Sequence, residues 1–160
     1  MIMTNWTQKM QEILNDKTEN YTSQEKVTVN FEYLKNLLAK IEDNNIPQSE
    51  LLCSKIEQVI NGIQHKTPEQ KVQYKTKNLN DITNLQTFVK ENFNYIPKGK
   101  FKESYTSQGM VLGMSMGVAI GAALGKIAIG LSVGMLWGLG IGGFIGSKAD
   151  RKAEIENRVL

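Results

Sequence analysis

The side chains that most often carry out chemistry are scarce in this sequence. His65 and Cys53 are the single examples of their types among 160 residues. On one helix, their separation of twelve positions corresponds to about 18 Å, which is too far for a nucleophile and its base. We interpret His65 as a group near a helix C-terminus, where an imidazolium is favourable, and Cys53 as a small buried hydrophobe.

Metal, nucleotide and nucleic-acid sites are not indicated either. A zinc site needs several Cys or His ligands, and the acidic residues are not clustered. The sequence GLGIGG at 138–143 has the glycine spacing of a phosphate-binding loop, but it lies in an apolar segment with no strand ahead of it. The net charge of +3 is spread over mixed-sign surfaces, which argues against nucleic acid as a partner. We therefore predict no enzyme activity, no catalytic residue, no cofactor and no metal.

Charge divides the chain into parts of different character. Between Gly109 and Gly146 the only charged residue is Lys126, whereas the residues on either side are rich in both signs of charge. As one straight helix, the apolar run 110–145 would be about 54 Å long, against about 30 Å for the core of a bilayer. Two helices with a turn at Lys126 fit better. The alternatives are a buried hairpin in a soluble core or a glycine-rich, aggregating strand region.

Glycine spacing supports two helices. The glycines follow two registers of four residues, with a step of five between them: Gly109, Gly113, Gly117, Gly121 and Gly125, then Gly130, Gly134, Gly138, Gly142 and Gly146. This spacing keeps each set on one helix stripe, where backbones can approach closely in lipid. Each glycine costs a helix in water about 1 kcal/mol relative to alanine. The pattern predicts a transmembrane hairpin at 109–146, with arms 109–125 and 127–146.

Basic residues flank both ends of the predicted hairpin. They are Lys98, Lys100, Lys102, Lys148, Arg151 and Lys152. The positive-inside rule places both termini in the cytoplasm and the turn outside. The lysines of the first group alternate with aromatic residues, a pattern that favours contact with anionic lipid headgroups. We therefore predict a basic juxtamembrane linker at 96–108 and a basic cytoplasmic tail at 147–160.

Residues 1–95 show four amphipathic helical patterns. We expect Thr4 or Asn5 to cap the first helix, Ser23 to begin the second, Pro47 to open the third and Thr67 to cap the fourth. The predicted inward residues are Trp6, Met10, Ile13 and Leu14; Val27, Phe31, Leu34, Leu38 and Ile41; Leu51, Leu52, Ile56, Val59, Ile60 and Ile63; and Val72, Leu79, Ile82, Leu85, Phe88 and Val89. Short connections favour a small antiparallel bundle. The alternative is a set of helices that stay partly unpaired until they dock on a partner.

Two resemblances follow from these patterns. The sequences GMVLGMSMGVAIGAALG and IGLSVGMLWGLGIGGFIG resemble the two-helix glycine-zipper membrane proteins of Gram-positive bacteria, over residues 109–152. Residues 1–95, with stretches such as EYLKNLLAKIEDNNIP, are similar in size and helix plan to bacteriocin immunity proteins, which are four-helix cytoplasmic bundles that protect the producer at its own membrane. The second resemblance rests on architecture, so no functional residue is carried over.

Together these observations predict an all-α protein with a small N-terminal helical bundle and a C-terminal glycine-zipper transmembrane hairpin. The resemblances imply a membrane-anchored protein of the cell membrane, of the immunity (self-protection) or membrane-partner-binding type. Its expected partners are the lipid bilayer and either a membrane protein or a second copy that binds through the glycine stripes. The alternative is a membrane-permeabilising toxin or effector, because helical domains with a hydrophobic hairpin resemble colicin-type pore formers.

Overall fold

A computed structural model describes residues 3–66 and 76–160. Within these ranges the chain forms seven helices and no β-strand, so the predicted all-α class is confirmed. The helices are α1 (Met3–Thr18), α2 (Ser23–Thr28), α3 (Phe31–Glu42), α4 (Glu50–Gly62), α5 (Thr76–Phe93), α6 (Lys100–Ala123) and α7 (Ile127–Ile155). They belong to two compact units. The N-terminal unit is Met1–Ile96 together with Leu160, and the C-terminal unit is Pro97–Val159.

The N-terminal unit packs α1 to α5 around one apolar core. Helix α3 contacts α1 and α2, and α4 contacts α1 and α5. The most deeply buried apolar side chains come from four of these helices and from the turn after α3: Leu14, Leu34, Leu37, Leu38, Ile46, Leu52, Ile56, Ile60, Leu85 and Val89. Most of them lie on the predicted inward stripes, because a period of three to four residues places apolar side chains on one face of a helix.

The predicted second helix is interrupted, contrary to expectation. Asn30 separates α2 from α3 and has φ 55° and ψ 40°, a left-handed conformation that asparagine tolerates better than most residues. The break separates the predicted stripe into two helices: α3 has six buried residues, whereas α2 has none. Val27, predicted to point inward, is 77% exposed.

The third predicted helix begins later than Pro47. Helix α4 begins at Glu50, and the Ser49 side chain accepts a hydrogen bond from the Leu52 backbone N–H at 3.2 Å. Serine is a favoured N-cap because its hydroxyl satisfies an otherwise unpaired N–H. In this helix Leu52 is fully buried. Its neighbour Leu51, which was also predicted to point inward, is 55% exposed.

The predicted cap of the first helix was wrong, and the predicted cap of the fourth helix is not tested. Helix α1 already includes Thr4 and Asn5, because it begins at Met3. Thr67 and Val72 lie outside the described residues. In α5, Leu79 is 45% exposed, so its prediction as an inward residue was wrong.

The C-terminal end of α4 is covered by a lysine from α1. The Lys17 Nζ donates to three carbonyl oxygens, at 3.1, 2.8 and 3.0 Å respectively: Ile60, Asn61 and Ile63. A cation at this end is favourable because the last carbonyls of a helix lack partners. Burial lowers the pKa of Lys17, and the nearby Asp16 carboxylate opposes that shift. His65, which we expected near this helix end, lies beyond it, with its Nε2 3.5 Å from Asp16.

We expect Lys17→Met to lower the free energy of unfolding of the N-terminal unit by about 1.5–3 kcal/mol, since the carbonyls lose a charged donor. The measurement is urea unfolding of the whole chain carrying Trp137→Phe, followed through Trp6 fluorescence. Lys9→Met is the control, because Lys9 is exposed on the same helix. Equal losses in the two variants would contradict a specific role for Lys17.

The C-terminal unit is formed by α6 and α7, joined by residues 124–126. The segment 96–108, predicted to be a polar linker, is helical from Lys100 onward. The predicted tail at 147–160 continues α7 as far as Ile155. Leu160 belongs to the core of the N-terminal unit, where its backbone N–H donates to the Ile96 carbonyl at 2.9 Å. Both helices extend past the apolar region because their packing continues beyond it.

Candidate functional site

The contact surface between α6 and α7 is made of backbone. A Cβ built on any of nine glycines would lie under 3.0 Å from an atom across the interface. These glycines are Gly109, Gly113, Gly117, Gly121, Gly130, Gly134, Gly138, Gly142 and Gly146. No side chain larger than hydrogen fits at these positions without displacing the facing helix.

The facing glycines form an antiparallel ladder. A Cβ on Gly117 would meet Gly130 and Gly134, and a Cβ on Gly113 would meet Gly134 and Gly138. Each step of four residues along α6 therefore matches a step of four in the opposite direction along α7. This regularity lets the two helices stay in contact over several turns.

The close contact continues beyond Gly109, the first glycine of α6, toward the start of that helix. A Cβ on Gly142 would meet Tyr105 and Thr106, and one on Gly146 would lie 2.5 Å from the Lys102 Cα. At these two positions a glycine on α7 alone is enough for the two helix backbones to come into close contact. The sequence did not predict this part of the interface, because no glycine marks it on α6.

Gly125, the tenth predicted packing residue, lies in the turn between the helices. Its φ is +68°, in the left-handed region where glycine is favoured. Its N–H donates to the Ala122 carbonyl at 3.1 Å, and the Lys126 N–H donates to the Gly121 carbonyl at 2.7 Å. These two bonds form a Schellman motif, which ends α6. A Cβ on Gly140, outside the two registers, would have no atom within 4 Å.

Away from the glycines, the helix pair presents large apolar side chains to its surroundings. Those more than half exposed include Val111, Leu112, Met116, Ile120, Leu136, Trp137, Ile141 and Phe144. Among the described helices, α7 alone is long and apolar enough to cross a membrane: its most apolar window has a mean hydropathy of 1.8 and is 11% buried. The core helix of a soluble protein would be mostly covered. Contiguous apolar surface of this kind marks a site of contact with a partner or a membrane.

Asp150 joins the charged ends of the two helices. Its Oδ1 accepts from the Phe101 backbone N–H at 3.0 Å and its Oδ2 from that of Lys102 at 2.9 Å. Helix α6 follows Gly99, which has no side chain to cap it, so the carboxylate of α7 does so instead. We did not predict this role, although Asp150 lies four residues after Gly146 and continues its register.

We expect Asp150→Ala to destabilise the first turn of α6 by about 0.5–2 kcal/mol, the usual cost of losing a cap. Amide hydrogen exchange of Phe101 and Lys102 should become faster by the corresponding factor. Glu154→Ala provides the control, since it removes an exposed acid one turn further along α7. Unchanged exchange at both amides in Asp150→Ala would show that the cap contributes nothing.

The six predicted membrane-surface residues are all exposed: Lys98, Lys100, Lys102, Lys148, Arg151 and Lys152. The two groups lie at the same end of the helix pair, because Lys102 packs on Gly146 and binds Asp150 through its backbone. Lys126 lies at the opposite end, in the turn. The Lys148 Nζ lies 4.4 Å from the centre of the Phe144 ring. One end of an apolar pair of helices thus carries a basic cluster.

The N-terminal unit offers less for chemistry. Cys53 is a free, half-buried thiol, and the described residues contain no group of three or more His, Cys, Asp or Glu side chains placed to hold a metal ion. Lys66 pairs with Glu25 at 2.8 Å. Hydrogen bonds from Lys66 and from the Thr22 backbone lower the pKa of Glu25 to about 2, and burial raises the pKa of Tyr33. The Glu25 contacts hold the start of α2 in place.

No protein-family model, curated protein or solved structure matches this chain. The fold and the site themselves define a class: an all-helical protein with a separate core-forming unit and a glycine-lined helix pair whose outer surface is apolar.

Proposed function

We propose that this chain is a non-enzymatic, membrane-anchored helical protein in which α6 and α7 form a glycine-zipper transmembrane hairpin. The observation that carries the proposal is the exposure of α7: its most apolar window, of 18 residues, has a mean hydropathy of 1.8, and only 11% of that window is buried. In water such a surface is unfavourable by about 25 cal/mol for each Å² of apolar area. In lipid the same surface is solvated, and backbone contact between helices provides the packing.

The helix lengths suit a bilayer. From Ile127 to Ser147, α7 has 21 residues, or about 31 Å, close to the thickness of the hydrocarbon core. The uncharged part of α6, from Ser104 to Ala123, has 20 residues, or about 30 Å. Its first turn is polar, so the bilayer would thin locally around this arm.

The proposed orientation has both termini in the cytoplasm. The basic cluster of six residues lies at one end of the helix pair, and a single lysine, Lys126, lies at the other. Positive charge is retained on the cytoplasmic side of membrane proteins. The N-terminal unit, which has its own core, would then be held in the cytoplasm next to the membrane.

The role that we propose for this arrangement is immunity (self-protection), or more generally the binding of a membrane partner. A folded bundle tethered at the cytoplasmic face is placed to meet proteins or peptides that act in the same bilayer. The competing role is permeabilisation of the membrane, which would use the same hairpin as part of a pore.

Inducible expression in a Gram-positive host separates these roles. A potential-sensitive dye reports the membrane potential on induction, and survival is measured after challenge with a panel of membrane-active bacteriocins. We expect an unchanged potential and increased survival with at least one peptide. The increase should be lost with Gly117→Leu and kept with Ala119→Leu, a substitution at an exposed position of α6 outside the glycine register.

Other results would count against the proposal in different ways. Depolarisation on induction would favour the pore-forming role. A normal potential without protection by any peptide would remove the immunity role and leave partner binding. Recovery of the intact protein in the soluble fraction would exclude immunity, membrane-partner binding and pore formation together, because each of these roles requires the hairpin in the membrane.

A further inference from the structure

An apolar groove runs along one face of the helix pair. It has a volume of about 490 Å³, within the usual range of small-molecule sites. Facing glycines form its floor. Its walls are Leu112, Met116 and Ile120 from α6 and Val133, Trp137 and Ile141 from α7. The groove therefore offers contact to an apolar chain and almost no hydrogen-bonding group.

The groove leads toward the basic end of the pair. A second hollow of about 430 Å³ adjoins it, shares Trp137 and Ile141 with it, and extends over Gly140 to Phe144. The ammonium group of Lys148 lies 4.4 Å from the centre of the Phe144 ring. An apolar channel thus ends next to a cation.

Lys148 is available to an anion. None of the ion pairs in the described part of the chain involves it, and its side chain is exposed. Lys152 lies four residues later on the same stripe of α7. A phosphate oxygen accepts strong hydrogen bonds from an ammonium group, and long basic side chains extend toward headgroups at a membrane surface.

We propose that this groove binds one acyl chain of an anionic phospholipid, with the lipid phosphate at Lys148. The inference rests on the proposed membrane location of α6 and α7. A flexible acyl chain suits the groove because the chain is apolar and needs no hydrogen-bonding partner from the groove walls. The helix of a second copy suits it less, since close helix contact requires small residues at the surface, whereas the groove walls are large and Trp137 is 68% exposed.

Trp137 provides a direct probe, because it lines both the groove and the hollow. The protein with Trp6→Phe has Trp137 as its single tryptophan. It is reconstituted in zwitterionic vesicles that contain a small fraction of lipid brominated on its acyl chains, with either an anionic phosphatidylglycerol or a zwitterionic phosphatidylcholine headgroup. Bromine quenches tryptophan fluorescence on contact, so the comparison reports which lipid occupies the groove.

We expect the brominated anionic lipid to be enriched at Trp137 by about fivefold over the zwitterionic one, as one basic residue near an anionic headgroup would produce. Lys148→Gln should abolish most of this preference. Lys126→Gln, which removes the same charge at the opposite end of the pair, should retain it. Met116→Trp, in a background with Trp137→Phe, should show the same preference from the other wall of the groove.

The outcomes separate the two proposals. Equal quenching by both lipids in membrane-inserted protein overturns the phospholipid site and leaves the membrane anchor intact. Little quenching by either lipid in inserted protein also overturns it and indicates that protein, such as a second copy, covers the groove. Failure of the chain to enter vesicles, measured by flotation, overturns the membrane anchor and the phospholipid site together.

Discussion

Replacing Gly117 by Leu should separate α6 from α7. A Cβ at this position would lie 2.9 Å from the Gly130 carbonyl carbon and 3.1 Å from the Gly134 Cα. Neither is a flexible side-chain atom, so the backbones must move apart. Helices in contact through larger side chains are about 8–10 Å apart, so we expect spin labels on the two helices to separate by several ångströms.

The measurement uses spin labels attached to cysteines introduced by Ser115→Cys in α6 and Ser132→Cys in α7, two exposed positions. The native cysteine is removed by Cys53→Ser. Pulsed electron paramagnetic resonance gives the distance between the two labels in protein reconstituted in lipid. Gly140→Leu is the matched control, since no atom lies within 4 Å of the Cβ position there. An unchanged distance in Gly117→Leu, or an equal increase in Gly140→Leu, would show that the glycine ladder does not determine the spacing of the helices.

A chain that ends at Ile96 should remain in the supernatant, whereas the whole chain should sediment with membranes and resist extraction by carbonate. The shortened chain keeps the apolar core of α1 to α5 and should give a helical circular dichroism spectrum. It lacks Leu160, whose side chain is 3% exposed, so we expect it to be less stable by roughly 1.5–3 kcal/mol.

Leu160→Ala in the whole chain tests separately whether the Leu160 side chain stabilises the N-terminal unit. The variant loses the contact of that side chain with the core and retains the membrane anchor. Its unfolding energy should fall without any change in fractionation. A coil spectrum for the shortened chain would show that the N-terminal unit does not fold alone. Release of the whole chain by carbonate would contradict insertion of α7.

The periodicity of apolar residues was sufficient to predict the core of the N-terminal unit. Leu34, Leu38, Ile56 and Leu85 are buried as expected, because a helix repeats every 3.6 residues whatever it packs against. The predictions that Val27 and Leu51 point inward were wrong, in each case for a local reason. The break at Asn30 places Val27 on a helix separate from Phe31 and Leu34. Leu51 lies about 100° around α4 from its buried neighbour Leu52, so the two cannot both face the core.

What the sequence by itself determined about this protein is the helical character of the described chain, the apolar segment and the spacing of the glycines, all of which depend on residues a few positions apart. Tertiary structure decided which glycine faces which, the capping of α6 by Asp150 and the covering of α4 by Lys17. The Asp150 contacts join residues 48 and 49 positions apart, and the Lys17 contacts join residues 43 to 46 apart. Single charged side chains carry no periodic signal, so their partners are determined only when the helices pack.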